Sequence, residues 1–513
     1  MSVRAALCLL SMTSATTLPT LALAQTPAPA TVAGPYVPAD HWTRDALRRL
    51  ASLGLVDASD ALQTWPIRRS DVRSILRSAA DQSASPAIRE AARKELHHFD
   101  REFPVVVQEA GGANHSAVPA LEVRAMTGWS GNAGTLLGGT TFRSPEGRWN
   151  YPGPVARASV RTVFLGGELD VTWRGLAVTA SGSGTTDSAH IDRLYAAMIA
   201  GPVDIWIGRR ELASGTGRTG SIVLSPDVPF DGAGLRTARA IDLPGFLGSA
   251  RAALLLARTS RSGNVERPWF SAATLIVAPS ASFRIGFNRA VIFGGDGNVE
   301  SLSARNVALM LFGITGQLGK DSGFENQVAS IDIWTRTRLA GLPLSLYGEV
   351  GIDDVGFSLL STAAFLAGIE VPAMPGYNAL AMGIEYARFP RSCCGHPPWY
   401  RHGDLGDGWT DRGRLLGHPL GGEGSEVSLN WSIVSDAARF AGLWFVRTRG
   451  TENLFAPDRT GTSTGAAVRA DAPLSSRLSL RARLGAERGS SGWTAWDSRL
   501  ALDVILGPVR PAN

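Results

Sequence analysis

The stretch Glu426-Val427-Ser428-Leu429-Asn430-Trp431-Ser432-Ile433 alternates polar and apolar residues without a break. A period of two puts the apolar set on one face of a strand and the polar set on the other. The same rhythm recurs where Leu169, Val171 and Trp173 alternate with Asp170, Thr172 and Arg174. It returns where Ala329, Ile331, Ile333 and Thr335 alternate with Ser330, Asp332, Trp334 and Arg336, and again where Leu478, Leu480, Ala482 and Leu484 alternate with Ser479, Arg481 and Arg483. Leu500, Leu502, Val504 and Leu506 close the chain in the same way. From about Pro119 onward the chain therefore reads as strands. Their polar faces carry charge, often arginine, as well as serine and threonine.

Composition points in the same direction. There are 58 glycines in 513 residues, roughly one in nine against the usual 7% or so, which suits many turns. Three cysteines exclude a disulfide scaffold, and 44% apolar residues exclude a disordered chain. The longest uncharged stretches of the body, such as Val355 to Ile369 and Pro268 to Phe283, run to about 15 residues and contain Pro, Gly, Ser and Thr, where a spanning helix needs about 20 apolar ones. Helical membrane bundles are out; membrane strands are not. The formal charge of +5 is nearly all arginine, since Lys94 and Lys320 are the only lysines. Acidic residues are interspersed, and no run of basic residues marks a nucleic-acid partner.

The first residues have the pattern of an export signal. Arg4 supplies a basic start, Ala5 to Leu23 is uncharged, and Ala22-Leu23-Ala24 fits the small-x-small cleavage rule. Residues 1–24 are expected to be removed, leaving a Pro/Ala/Thr-rich tether over 25–39. Residues 40–110 read as a small helical module. Trp42, Ala46, Leu47, Leu50 and Leu53 mark one helix face ending at Gly54. Ser70 caps a second helix with Val72, Ile75, Leu76 and Ala79. Pro86 starts a third, with Ile88, Ala92, Leu96, Phe99 and Phe103 on one side. About 65 residues bury too little surface alone, so the module is expected to dock on something larger.

A soluble sandwich also alternates, but at this length it needs several domains with linkers, and no clear linker follows Phe103. An exported chain with charged and apolar faces fits an all-β transmembrane barrel over 119–513. About 390 residues at roughly 22 per strand and turn give about 18 antiparallel strands. Trp149, Tyr151, Trp173, Tyr195, Trp269, Trp399 and Tyr400 are expected near strand ends, as interfacial girdles.

Several segments together resemble the capsule-assembly Wzi family of bacterial outer-membrane proteins. Thr64-Trp65-Pro66 with Ile67 to Leu76 resembles its helical module. Ile207-Gly208-Arg209, Gly215-Thr216-Gly217 and Ser221 to Leu224 resemble an early barrel segment, and Asn288-Arg289 through Gly297 a mid-barrel turn. Asn326 to Asp332, Leu342 to Glu349 and Asp353-Asp354 resemble a later hairpin. Most telling are Tyr400-Arg401-His402-Gly403, Arg412-Gly413-Arg414, Gly417 to Gly421 and Gly424. The resemblance implies an 18-stranded outer-membrane barrel with a periplasmic helical bundle. It also implies a non-catalytic role in holding exported capsular polysaccharide at the cell surface.

Acidic polysaccharides call for fixed positive groups and hydrogen-bond donors, and arginine offers a planar fork. The Gly-rich segment from Trp399 to Gly424 is the candidate sugar-contacting loop, through Trp399, Tyr400, Arg401, His402, Asp404, Trp409, Arg412, Arg414 and His418, with Asp411 beside them. The bland alternative is that its charges are solvated or folded into the lumen as a plug. Arg209, Arg210, Arg218, Arg236 and Arg289, beside Glu211 and Asp296, are expected to line the lumen as bracing charges. Cys393, Cys394, His396 and His402 match no zinc spacing, and Asp353-Asp354 or Glu423 with Glu426 is a weak glycosidase pair. No cofactor, metal or catalytic residue is expected. The partners expected are surface polysaccharide and outer-membrane lipid, and the chain is expected to act as a monomer. A porin-like channel remains the alternative. There the stretch from Tyr36 to Gly54, with Arg68 to Asp71, resembles an S-layer-homology motif gripping peptidoglycan.

Overall fold

The alternating segments pair with one another in chain order. The computed structural model describes residues 35–81, 86–104, 120–133, 160–173, 176–184, 189–225, 228–260, 262, 264–298, 325–353, 362–391, 398–402, 405–412, 414–453, 455 and 459–506. Among these, eighteen antiparallel strands from Ala120–Ala133 to Thr494–Ile505 form a closed barrel, with the two-residue segment Ile241–Asp242 as an extra pairing. Closure is direct: the last strand pairs with the first, Leu500 opposite Trp129 and Val504 opposite Ala125. Among the described residues the barrel leaves no edge strand unpaired, which is what a lipid environment demands of strands.

Burial is inverted relative to a water-soluble sheet. In the strand Gly424–Val434, Glu426 is 2% exposed and Val427 is 44% exposed. Asp332 is fully buried while its neighbours Ile331 and Ile333 are about half exposed. Leu254, Leu275, Ile384, Leu484 and Leu500 project outward in the same way. The apolar face meets lipid and the polar face meets the lumen. No helix among the described residues is long and apolar enough to cross a membrane.

One end of the barrel has short turns. Ala340 and Gly341 make one of them, with φ of 50° and 82°, the two positive values that a tight hairpin of matching twist requires. The other end carries longer segments, whose described residues include 212–225, 398–402, 405–412 and 414–423.

The helical module fills the short-turn mouth. Its helices are α1 (Thr43–Leu53), α2 (Ala58–Ala61), α3 (Arg69–Asp81) and α4 (Pro86–Glu102). Gly54 takes φ 85° and closes α1, its N–H reaching the Ala51 carbonyl. The short α2 has no counterpart in the sequence reading, because four residues cannot display a period. Trp42, Leu47, Leu50, Val72, Leu76, Ala92 and Phe99 form a core continuous with the lumen-facing Trp334, Tyr347 and Leu366 of the wall. Polar contacts fix the seating. Arg48 donates to Glu370 (2.7 Å), Arg49 to the Pro372 carbonyl (2.8 Å), and the Ala58 N–H to the Ala281 carbonyl of a short turn (3.1 Å). Glu95, fully buried on α4, pairs with Arg439 of the wall and lies 3.6 Å from Arg49.

Candidate functional site

Two segments descend from the long-loop end into the lumen. The first, 212–225, is held by wall carboxylates that accept its backbone N–H groups. Glu385 accepts from Arg218 (2.6 Å) and Thr219 (3.0 Å), and Glu349 from Ile222 (3.2 Å). A strand carboxylate used this way satisfies loop donors that would otherwise be buried without partners. The segment also meets the helical module: Trp65 and Ala213 exchange backbone hydrogen bonds at 3.1 Å, and Arg218 pairs with Asp45 at 2.9 Å.

The second, described over 398–402, 405–412 and 414–423, packs on the first. Tyr400 is fully buried; its hydroxyl donates to the Ile222 carbonyl (2.6 Å) and accepts the His418 N–H (3.0 Å). The close approach explains Gly417, where a Cβ atom would lie 2.4 Å from that hydroxyl. Trp409 is also fully buried, its indole N–H on the Val223 carbonyl (3.0 Å) and its ring against Phe270. Trp399 donates to the Thr362 carbonyl (2.9 Å) and meets Phe389 edge-on.

His418 is fully buried as well. Its Nδ1 accepts the Leu420 N–H (3.1 Å), so Nε2 carries the proton and faces Thr219 Oγ1 (3.0 Å). Burial pushes its pKa down to about 4. The unfolded chain takes up a proton as pH falls through about 6.5, and the folded chain does so only near 4. Stability from this group is thus complete above about 6.5 and lost as pH drops to 4, by about 3 kcal/mol. Unfolding in detergent across this range is expected to show a shallower pH slope in His418→Gln than in the parent; equal slopes remove the assignment.

The expected sugar-contacting residues therefore divide. Trp399, Tyr400, Trp409 and His418 are plug residues, buried against the 212–225 segment and the barrel wall, and do not present a surface to a ligand. This corrects the expectation for all four. Loop aromatics with apolar walls on every side bury themselves as core residues do. Tyr195, expected in a girdle, is likewise buried in the lumen; Trp149 and Tyr151 lie outside the described residues. Arg412 is exposed and reaches Asp231; Arg401 and His402 are half-buried, with Arg401 on the Gly406 carbonyl (3.1 Å). Arg414 points into a lumen cavity. Asp404, Cys393, Cys394 and His396 lie outside the described residues.

The expected lumen charges divide too. Arg210 stacks on Tyr36, Trp206 and Tyr195, and Arg236 pairs with Asp204 (2.9 Å). Arg218 enters on the inserted loop. Arg209, Arg289 and Asp296 do not face the lumen. Arg289 shares the outward face of its strand with Ile285 and Phe287 and donates to Gln327 (2.9 Å). Arg209 follows Ile205 and Ile207 on the outward face and pairs with Asp231 (3.0 Å), and Asp296 is exposed beyond the strand end. Strict alternation from Ile285 or Ile207 predicts those outward positions. Of the carboxylates weighed as glycosidase pairs, Asp353 accepts the Tyr400 N–H, Glu426 pairs with Arg447, and Glu423 accepts the Glu452 N–H (2.8 Å), while Asp354 lies outside the described residues.

Sequence reading missed the lumen cavity of about 170 Å³ between the helical module and the wall, whose lining is dominated by arginines. The signal was present as alternating arginines, but the cavity depends on which strands stand side by side.

A closed eighteen-strand barrel with an apolar exterior, a charged interior and described segments lying in both mouths is an outer-membrane barrel. Residues 118–494 match the model of the capsule assembly protein Wzi family, and the chain belongs to that family. Among solved structures it is similar to Escherichia coli Wzi, described as an outer-membrane protein involved in group 1 capsule assembly and a carbohydrate-binding β-barrel. The TM-score is 0.68 at 17% identity, covering 92% of this chain and 100% of that one. Pseudomonas aeruginosa OpdL gives a TM-score of 0.46 at 12% identity, over 76% of this chain and 99% of that one. No curated protein matches.

Proposed function

We propose that this protein binds and organises exported capsular polysaccharide at the cell surface, without catalysis and as a monomer. The single observation that carries the reading is that packed segments lie in both mouths of the lumen of a capsule-assembly family member. Helices close one mouth and the 212–225 and 398–423 segments occupy the other, which suits a surface-binding role better than a diffusion channel. In such barrels the short turns face the periplasm. That rule puts the helical module on the periplasmic side and the long loops outside, following export directed by residues 1–24. Tyr36, Val37 and Ala39, expected within the tether over 25–39, are instead buried in the docked module, where Tyr36–Val37 pairs with Ile67–Arg68. Arg401, His402 and Arg412 are then the loop residues offered to polymer, together with Asp404. The S-layer-like motif has little left for a wall polymer. Tyr36 is committed to Asp204 (2.6 Å), and Arg69 to Glu122, Glu168 and Asp170.

A deletion strain is expected to shed capsule into the medium, and the purified barrel to give no large conductance steps in planar bilayers. Capsule retained at parental levels, with no acidic polysaccharide bound by the purified protein, overturns the reading. Large open-channel steps favour a porin.

A further inference from the structure

The lumen face carries a row of arginines that the closed-barrel description leaves unexplained. Arg469 stands directly opposite Arg483, and Arg483 directly opposite Arg499, on three consecutive strands. Like charges in opposed positions repel, and arginine cannot shed its charge. Some of the surrounding charge is already matched. Arg469 takes Asp471 in a two-pronged pair (2.5 and 3.1 Å), and Arg481, one row nearer the short turns, takes Glu102 and Asp503 (3.0 and 2.7 Å). Arg193 holds Glu168 and Glu211 at 3.2 Å, and Arg124 holds Glu122 at 2.6 Å. Arg483, at the centre of the row, forms no ion pair among the described residues.

Space lies beside the row. All three arginines line the 170 Å³ cavity, where seven arginines face four carboxylates, and Arg414 reaches it from the long-loop plug. One step toward the long-loop end, the opposed residues are Ala467, Gly485 and Asp497, two small residues and a single acid. The region is not tightly packed: the Arg481 side chain keeps 31% exposure inside the barrel. Two interstrand spacings make the row about 10 Å long. That length lets more than one oxyanion be contacted at once, which suits a polymer segment better than a single ion. The guanidinium fork pairs carboxylate and phosphate oxygens two at a time.

We propose that the Arg469–Arg483–Arg499 row is a lumen binding site for an oxyanion-bearing segment of glycan, an inference that rests on the polysaccharide-binding reading above. The exposed loop residues then make first contact, and the row holds the charge.

The test uses the full barrel in detergent and three probes: a hexuronate oligosaccharide, its carboxyl-reduced form and inorganic phosphate. The oligosaccharide is expected to bind and to raise the Tm. Arg483→Gln is expected to weaken binding about tenfold, and Arg483→Gln with Arg499→Gln about a hundredfold. Added salt should weaken the parent's binding. Both variants relieve repulsion and should keep the heat-modifiable mobility of a folded barrel. If either does not, the parent's preference for the charged over the reduced oligosaccharide still decides. Equal binding of charged and reduced forms overturns the lumen site and leaves the polysaccharide reading standing. Binding of neither overturns both. A double variant that binds within twofold of the parent moves the site elsewhere, and phosphate binding as tight as the oligosaccharide's reduces it to a simple ion site.

Discussion

Arg69→Ala is expected to detach the helical module from the barrel mouth and to cost about 3–5 kcal/mol, the range for breaking a buried ion cluster from one side. Arg69, on α3, is the cation shared by three wall carboxylates: Glu168 at 2.7 Å, Asp170 at 2.8 Å and Glu122 at 3.1 Å. Burial works against its charge, but these three carboxylates outweigh that and hold the guanidinium more firmly protonated than usual. It also covers the Phe103 ring at 4.4 Å. Without it, Arg124 and Arg193 remain to balance three carboxylates that have little water to turn to. The loss is read as faster tryptic cutting within α1 to α4 and as unfolding at lower urea. Arg77→Ala, exposed on the same helix, serves as the control and should change stability by no more than about 0.5 kcal/mol. Equal protease resistance in the Arg69 variant and the parent removes Arg69 as the anchor.

What could be read from the sequence follows from the distance over which the physics acts. Strand alternation is local, so Val427 against Glu426 announces the barrel wall, and Arg481 and Arg483 announce a charged lumen. Helix faces are local as well, and Gly54 marks the end of α1 where expected. Strand number follows from chain length because a membrane fixes strand length. The lumen contents were not legible in the same way. Tyr400 and Trp409 stand in a Gly-rich segment with no period, and what buries them are Ile222, Val223 and Phe270, all more than a hundred residues away. The arginine row is intermediate. Each arginine is visible on its own strand, but their opposition depends on the register of three strands. Arg209 and Arg289 show a different lesson: charge alone does not place a residue in the lumen, and counting by twos from Ile207 or Ile285 does.

The second large effect concerns the opposite plug and tests whether the two plugs act in series. Tyr400→Ala removes a fully buried ring packed on Phe389 (5.4 Å), Trp399 (5.5 Å) and Phe455 (6.1 Å), and frees the Ile222 carbonyl and the His418 N–H. Truncating a buried aromatic costs about 3–5 kcal/mol. The backbone gives nothing back, since φ at this position is 65° and alanine tolerates that no better than tyrosine. The loosened 398–423 segment still rests on 212–225, which the helical module grips through Trp65 with Ala213, Arg48 on the Thr216 carbonyl, and Asp45 on Arg218. Tyr400→Ala alone is therefore expected to stay silent in planar bilayers, as is Arg69→Ala alone. The double variant loses support from both ends, and stable conductance steps are expected from it. Steps of full size in either single variant show that one plug seals the barrel unaided. A double variant as silent as the parent shows that the lumen is closed by contacts other than these two.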